Sequence, residues 1–362
     1  MIAGLRRMSW TVAVPVLGIA MLAVVWGRDL GAVFVGVVAA VLAGTVMAAV
    51  HHAEVVALRV GEPFGSLVLA VAVTVIEVAL IVTVMVSGGE QAASLARDTV
   101  FAAVMISTNG IVGLSLLLGS VRYGMALFNP EGTGAALATV TTLATLSLVL
   151  PTFTTTRPGP EFSPAQLTFA ALASLALYGM FVVTQTVRHR DFFLPVTEDG
   201  VVEEEHAAPP TGRATLTSLG LLVVALVAVV GLAKVESPAI EAGVEAVGFP
   251  PSFVGVMIAL LVLLPESLAA GRAALRERIQ TSLNLGYGSA IASIGLTIPA
   301  IALASVWLEG PLVLGLGSTQ IVLLALTVVA GVLTVVPGRA TRLQGGVHLV
   351  LLAAFVFLAV KP

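Results

Sequence analysis

The chain is expected to fold as an all-α polytopic membrane protein. It should have about eleven transmembrane helices, arranged as two inverted-topology five-helix repeats plus one extra N-terminal helix. Three observations predict this. Of 362 residues, 58% are hydrophobic and 10% charged, and the mean hydropathy is +1.08, whereas soluble domains carry about 25% charged residues. Eleven apolar segments follow one another, several at the short end of the ~20 residues that span a bilayer. Two of them, one in each half, hold a single carboxylate in an otherwise uncharged run: Glu77 in Phe64–Met85 and Glu266 in Phe253–Ala270. A carboxylate near a bilayer centre costs several kcal/mol unless it is partnered or functional.

The segments are 9–26, 30–50, 64–86, 99–120, 135–153, 165–187, 215–235, 252–271, 283–307, 312–336 and 344–360. Arg6 and Arg7 precede the first, but Val24-Val25-Trp26 is a poor cleavage site, so it is read as a helix rather than a signal peptide. With the N-terminus inside, twelve Lys and Arg lie on the cytoplasmic side, among them Arg6, Arg7, Arg59, Arg122, Arg188, Arg190, Arg272 and Arg339. The opposite side receives five: Arg28, Arg97, Arg157, Lys234 and Lys361. The bias selects a multi-pass protein of the inner (cytoplasmic) membrane with its N-terminus cytoplasmic and its C-terminus external. The chain has no cysteine, which excludes disulfides and thiol chemistry. No basic stretch interleaved with aromatics points to nucleic acid, so the lipid bilayer and small ions are the expected partners.

The longest loop, 188–214, is polar and carries the acidic run Glu203-Glu204-Glu205. It reads as a solvated cytoplasmic linker between a first five-helix repeat at 30–187 and a second at 215–362, with 1–29 as the extra helix. Glu77 and Glu266 then both lie on the second helix of a repeat, and the two helices run in opposite directions. Odd repeat length with opposite insertion is the pattern of inverted-repeat transporters. Each carboxylate helix is followed by a span rich in small and polar residues. The first holds Ser107, Thr108, Asn109, Gly110 and Gly113; the second holds Asn284, Gly286, Ser289, Ser293, Gly295 and Thr297. Glycine permits close helix approach, and hydroxyls supply oxygens across the contact. Pro265 removes one helical hydrogen bond and is expected to free the Leu261 carbonyl. Carboxylate, amide, hydroxyl and carbonyl oxygens suit a hard cation such as Ca²⁺.

The runs HAEVVALRVGEPFGSLVLAVAVTVIEVALI (52–81) and LPESLAAGRAALRERIQTSLNLGYGSAIASIGLTIPA (264–300) resemble the two alpha-repeats of the calcium/cation antiporter superfamily, the sodium/calcium exchanger membrane region. They are most similar to its bacterial calcium–proton antiporter branch. The alpha regions would be about 52–120 and 252–307. The resemblance implies that Glu77 and Glu266 carry the exchanged ion, with Asn109 beside Glu77 in the site. Where vacuolar members have a glutamine in the ninth span, this chain has Ala292 flanked by Ser289 and Ser293. That departure bears on ion specificity and not on the fold.

The expected function is secondary cation/proton antiport by alternating access, with Ca²⁺ exported in exchange for protons. Two neighbouring carboxylates repel each other, so the empty pair should hold at least one proton, which a divalent ion displaces. Na⁺ or K⁺ exchange on the same fold is the alternative, because oxygen-only sites accept several hard cations. No catalytic residues and no cofactor beyond the transported Ca²⁺ and H⁺ are expected. An intramembrane enzyme would need a nucleophile with a base, or metal-ligating histidines, at membrane depth. Ser289 and Ser293 are weaker candidates for the cation and proton site. Glu54 and Glu62 read as interfacial residues on the cytoplasmic side, with attraction of cations as their alternative role. His51 and His52 read as solvated loop residues, and His348 as a packing residue.

Overall fold

The computed structural model describes residues 9–28, 31–61, 64–87, 93–196, 209–307 and 310–362. Arg6, Arg7, Glu62 and the acidic run Glu203–Glu205 lie outside them. Among the described residues ten helices are long and apolar enough to cross a membrane, and a shorter apolar helix precedes them.

The short helix is α1 (Trp10–Val25), followed by α2 (Ala32–Val60) and α3 (Phe64–Ser87). The next span is continuous but not uniform: α4 (Leu95–Met105) passes through a π-helical turn at Ile106–Ile111 into α5 (Val112–Tyr123). Then come α6 (Pro130–Ala144), a π turn, the short α7 (Leu150–Phe153) and α8 (Pro164–Val183). The second half holds α9 (Gly212–Ala246), α10 (Phe253–Ala274), α11 (Ile279–Ala304), α12 (Ser318–Val335) and α13 (Arg342–Val360). Caps mark several starts. Asn129, Ser163, Thr211 and Thr341 each accept a backbone N–H of the first turn, which satisfies donors that a helix N-terminus leaves unpaired.

Two helices are longer than hydropathy suggests. α2 runs ten residues past Val50, so His51 and His52 are helical rather than loop residues. His52 is buried, with Nε2 bonded to the Thr11 carbonyl at 2.8 Å and Nδ1 to Ser218 Oγ at 3.2 Å. The solvated-loop reading of His52 is therefore corrected: the ring ties α1 and α9 to α2. The other long helix, α9, continues to Ala246. A two-residue antiparallel pairing, β1 (Ala126–Leu127) with β2 (Arg339–Ala340), joins the end of α5 to the start of α13. Nothing in the hydropathy indicated it.

Side chains pack into two apolar clusters. One gathers α4, α5, α6, α8, α11, α12 and α13; the other gathers α1, α2 and α9 with Leu95 at the start of α4. Helices α3 and α10 contribute to both, with Ile81 and Leu263 facing the first cluster and Ile76 and Val262 the second. Lipid offers no hydrophobic drive between helices, so contact depends on small residues that bring backbones together. A Cβ on Gly255 of α10 would stand 2.7 Å from the Thr99 nitrogen of α4. The two carboxylate helices thus run along the seam between the clusters.

Candidate ion-binding site

Glu77 and Glu266 each stand thirteen residues after the first residue of their helix, Phe64 and Phe253, about 20 Å along its axis. Helix α3 packs on α11, and α10 packs on both α4 and α11. Each carboxylate helix therefore leans on the polar span of the other half.

Ser293 and Thr297 are one turn apart on α11, so both hydroxyls project from one face. They clasp Glu77. Ser293 Oγ donates to Oε1 at 2.6 Å and Thr297 Oγ1 donates to Oε2 at 3.1 Å, with Glu77 only 3% exposed. Glu266 is less complete: its Oε2 is buried and has no hydrogen-bond partner. The carboxylates lie within electrostatic reach of each other, and Glu266 also feels Glu54, which in turn feels Arg272. A buried carboxylate oxygen without a donor is costly, and it is what an incoming cation or proton would satisfy.

Both acids line one cavity of about 170 Å³. Its oxygen-bearing wall comprises Ser66, Thr74, Glu77, Tyr178, Gln185, Glu266, Asn284, Ser289 and Ser293; the remainder is apolar, with Val73, Ala103, Phe181, Ala259 and Leu263 among it. The lining reaches Ser66 in the first turn of α3, Gln185 beyond the end of α8 and Asn284 in the second turn of α11. These residues sit at the helix ends that carry Arg59, Arg188, Arg272 and Arg278. The opposite ends carry Lys234 and the Arg97–Asp98 ion pair at 2.8 Å. Among the described residues no group of three or more His, Cys, Asp or Glu is placed to hold a metal ion. The carboxylate pair and neutral oxygens are what the cavity offers.

Of the residues singled out in the sequence, the structure brings Glu77, Glu266, Ser289 and Ser293 to this cavity. Glu54 stands on α2 within reach of Glu266. Asn109 is not among the lining residues. Its side chain is fully buried on the far side of its span, where Nδ2 donates to Thr327 Oγ1 at 2.9 Å and Oδ1 meets His348 Nδ1 at 3.0 Å. The expectation that it sits beside Glu77 is corrected for this structure. Asn109 lies inside the π turn, where the chain departs from the regular α-helical period. His348 does more than pack, since both ring nitrogens are engaged. Pro265 is accommodated within an uninterrupted α10. Sequence reasoning missed Thr297 and Thr74 as site residues. Each was signalled by spacing alone, one turn from Ser293 and from Glu77 respectively.

A membrane-spanning helical bundle with paired acids from opposite halves lining one oxygen-bearing cavity defines a membrane cation antiporter. The chain belongs to the sodium/calcium exchanger protein family, whose profile matches residues 30–187 and 217–361. It is 48% identical over 328 residues to the putative ionic transporter y4hA of Sinorhizobium fredii, covering 90% of this chain and 88% of that one. It is 35% identical over 308 residues to the sodium-potassium/proton antiporter ChaA of Escherichia coli, covering 85% and 83%. A solved structure of the Ca²⁺/H⁺ antiporter protein YfkE shares the fold, with a TM-score of 0.69 at 15% identity over 98% of both chains.

Proposed function

We propose that the protein exchanges a cytoplasmic cation for external protons, with Glu77 and Glu266 binding either one, and that Ca²⁺ is the exported cation. One observation carries this reading: two carboxylates from opposite halves share an otherwise neutral cavity, one held by two hydroxyls and the other with an oxygen left open. A divalent ion neutralises both acids once their protons have left. Protons neutralise both once the ion has left. Either state lets the pair face the opposite side without a naked charge in low dielectric, and the half-loaded state does not. Exchange is then obligatory. The arginine-rich end is taken as cytoplasmic, on the inner-membrane topology read from Lys and Arg counts. On that orientation Ser66, Gln185 and Asn284 would admit ions from the cytoplasm. Glu54, on α2 within electrostatic reach of Arg272 and Glu266, would draw cations toward Glu266.

A second reading has Na⁺ or K⁺ as the ion, favoured by the 35% identity to a sodium-potassium/proton antiporter. A monovalent ion neutralises one carboxylate and leaves the other protonated, so the same cavity can carry it. The test is to reconstitute the protein in proteoliposomes and record internal pH as Ca²⁺, Na⁺ or K⁺ is added outside. Proton movement driven by Ca²⁺ and lost in Glu77→Gln supports the first reading, and movement driven only by Na⁺ or K⁺ supports the second. No cation-coupled proton movement in correctly inserted protein would sink both.

A further inference from the structure

The polar network around His348 lies outside the ion cavity and is unused by the exchange just described. It crosses three elements. Thr334 Oγ1 meets His348 Nε2 at 3.2 Å; His348 Nδ1 meets Asn109 Oδ1 at 3.0 Å; Asn109 Nδ2 donates to Thr327 Oγ1 at 2.9 Å; and Thr327 Oγ1 donates to the Leu323 carbonyl at 2.8 Å. The last bond fixes the direction of the rest. Because the Thr327 hydroxyl is spent on a carbonyl, its oxygen accepts from the Asn109 amide. Asn109 Oδ1 must then accept, so His348 carries its proton on Nδ1 and takes the Thr334 hydroxyl at Nε2. His348, Thr327 and Thr334 are 1–3% exposed and Asn109 is fully buried, and each is satisfied.

Two glycines bring the ring to this position. A Cβ on Gly113 would lie 2.8 Å from His348 Cβ, and a Cβ on Gly345 would lie 2.6 Å from the Leu117 nitrogen. Helices α5 and α13 therefore cross backbone to backbone, one turn beyond Asn109. Asn109 itself sits in the π turn Ile106–Ile111, and α10, the helix of Glu266, packs against that same turn. A π turn holds one residue more than an α turn and occurs mostly as a single-turn bulge, frequently at functional sites. Of its two buried hydroxyls, Thr108 Oγ1 donates to the Val104 carbonyl at 2.6 Å and Ser107 Oγ has no partner.

We propose that His348 is a positioning residue for the ion site. Through Nδ1 it clamps Asn109, keeps the π turn wound, and so fixes the surface of the first half's polar span on which the Glu266 helix rests. The role rests on the antiport reading for its consequence and on the hydrogen-bond network for its existence, and the two are tested separately. The variants are His348→Leu, which removes both ring bonds, and His348→Asn, whose amide nitrogen falls where Nδ1 was. Each is made in the wild type and in an Asn109→Ala background.

In proteoliposomes, using Ca²⁺ and then Na⁺ and K⁺ as probes, His348→Leu should weaken the apparent cation affinity roughly three- to tenfold, the worth of a buried neutral hydrogen bond. The maximal rate should change less than twofold. Hydrogen exchange of the 106–111 amides should accelerate to a similar degree. His348→Asn should restore both, and His348→Leu should add nothing once Asn109 is Ala. A merely structural His348 predicts a lower unfolding temperature with unchanged cation affinity and unchanged exchange at 106–111, and that result overturns the proposal. So does a His348→Asn variant indistinguishable from His348→Leu. If no cation drives protons in the wild type, the antiport reading falls, and the exchange rates at 106–111 alone decide the clamp.

Discussion

Ser293 on α11 donates a 2.6 Å hydrogen bond to Glu77 Oε1 on α3, across a separation of 216 residues. This bond links a carboxylate of the first half to a hydroxyl of the second, and a hydroxyl donates more strongly to a carboxylate than to a carboxylic acid. Hydrogen bonds to charged groups are worth about 1.5–3 kcal/mol when buried. Ser293→Ala should therefore weaken apparent cation affinity at neutral pH by roughly tenfold or more. Protons then compete better, so raising the pH should recover much of the loss. Proton-flux titrations against cation concentration at two pH values check this, and an affinity loss of equal size at both would argue against direct competition at Glu77.

The two acids should separate the two ion readings. Glu266 is the carboxylate with an open oxygen, so Glu266→Gln replaces a group whose Oε2 no protein donor holds. One remaining carboxylate can neutralise one monovalent charge but not two. On the Ca²⁺ reading, both Glu77→Gln and Glu266→Gln abolish exchange. On the Na⁺ or K⁺ reading, one of them, Glu266→Gln, should retain a measurable fraction of the flux. Flux of each variant, normalised to the inserted protein, gives the answer directly.

How much of this was legible in the sequence depends on what each feature needs in order to show. Glu77 and Glu266 announce themselves because a single charge in an apolar run has no soluble explanation. Ser293 was visible as one of several small hydroxyls, but only the packing of α3 on α11 selects it and Thr297. Asn109 was placed beside Glu77 by resemblance alone; in the structure it bonds Thr327 and His348 from within the π turn Ile106–Ile111, and such a turn leaves no signature in composition. His51, His52 and Glu54 lowered local hydropathy enough to end the second span early, although α2 continues to Val60. The partner that makes His52 tolerable inside is a backbone carbonyl at Thr11, which no side-chain pattern reveals.

The close crossing of α10 and α4 yields a stability prediction. A Cβ on Gly255 would meet the Thr99 nitrogen at 2.7 Å and the Asp98 carbonyl carbon at 2.9 Å, both backbone atoms that cannot move without shifting α4. Gly255→Val should cost about 1–3 kcal/mol through overpacking. It should lower the detergent-solubilised unfolding temperature measurably. Because α10 carries Glu266, exchange per folded molecule should fall as well. An unfolding temperature equal to the wild type would mean that the two helices do not approach as closely as the structure has them.

The His52 clasp predicts how α1 is held. Its ring bonds reach the Thr11 carbonyl on α1 and Ser218 on α9, while Lys234 of α9 lies 5.4 Å from the centre of the Trp26 ring just past the other end of α1. Both ends of α1 are thus tied to the α2–α9 pair, and neither tie touches the cavity. His52→Leu leaves a buried carbonyl and a buried hydroxyl without their partner, a loss of about 1–3 kcal/mol. Since α1 adds nothing to the ion-binding wall, the variant should keep its cation affinity within about twofold. Its N-terminal helix should nevertheless detach more readily, seen as faster proteolysis near Trp26–Arg28 and faster hydrogen exchange across Trp10–Val25. Loss of cation affinity without loosening of α1 would place His52 in the transport path instead, two residues from Glu54.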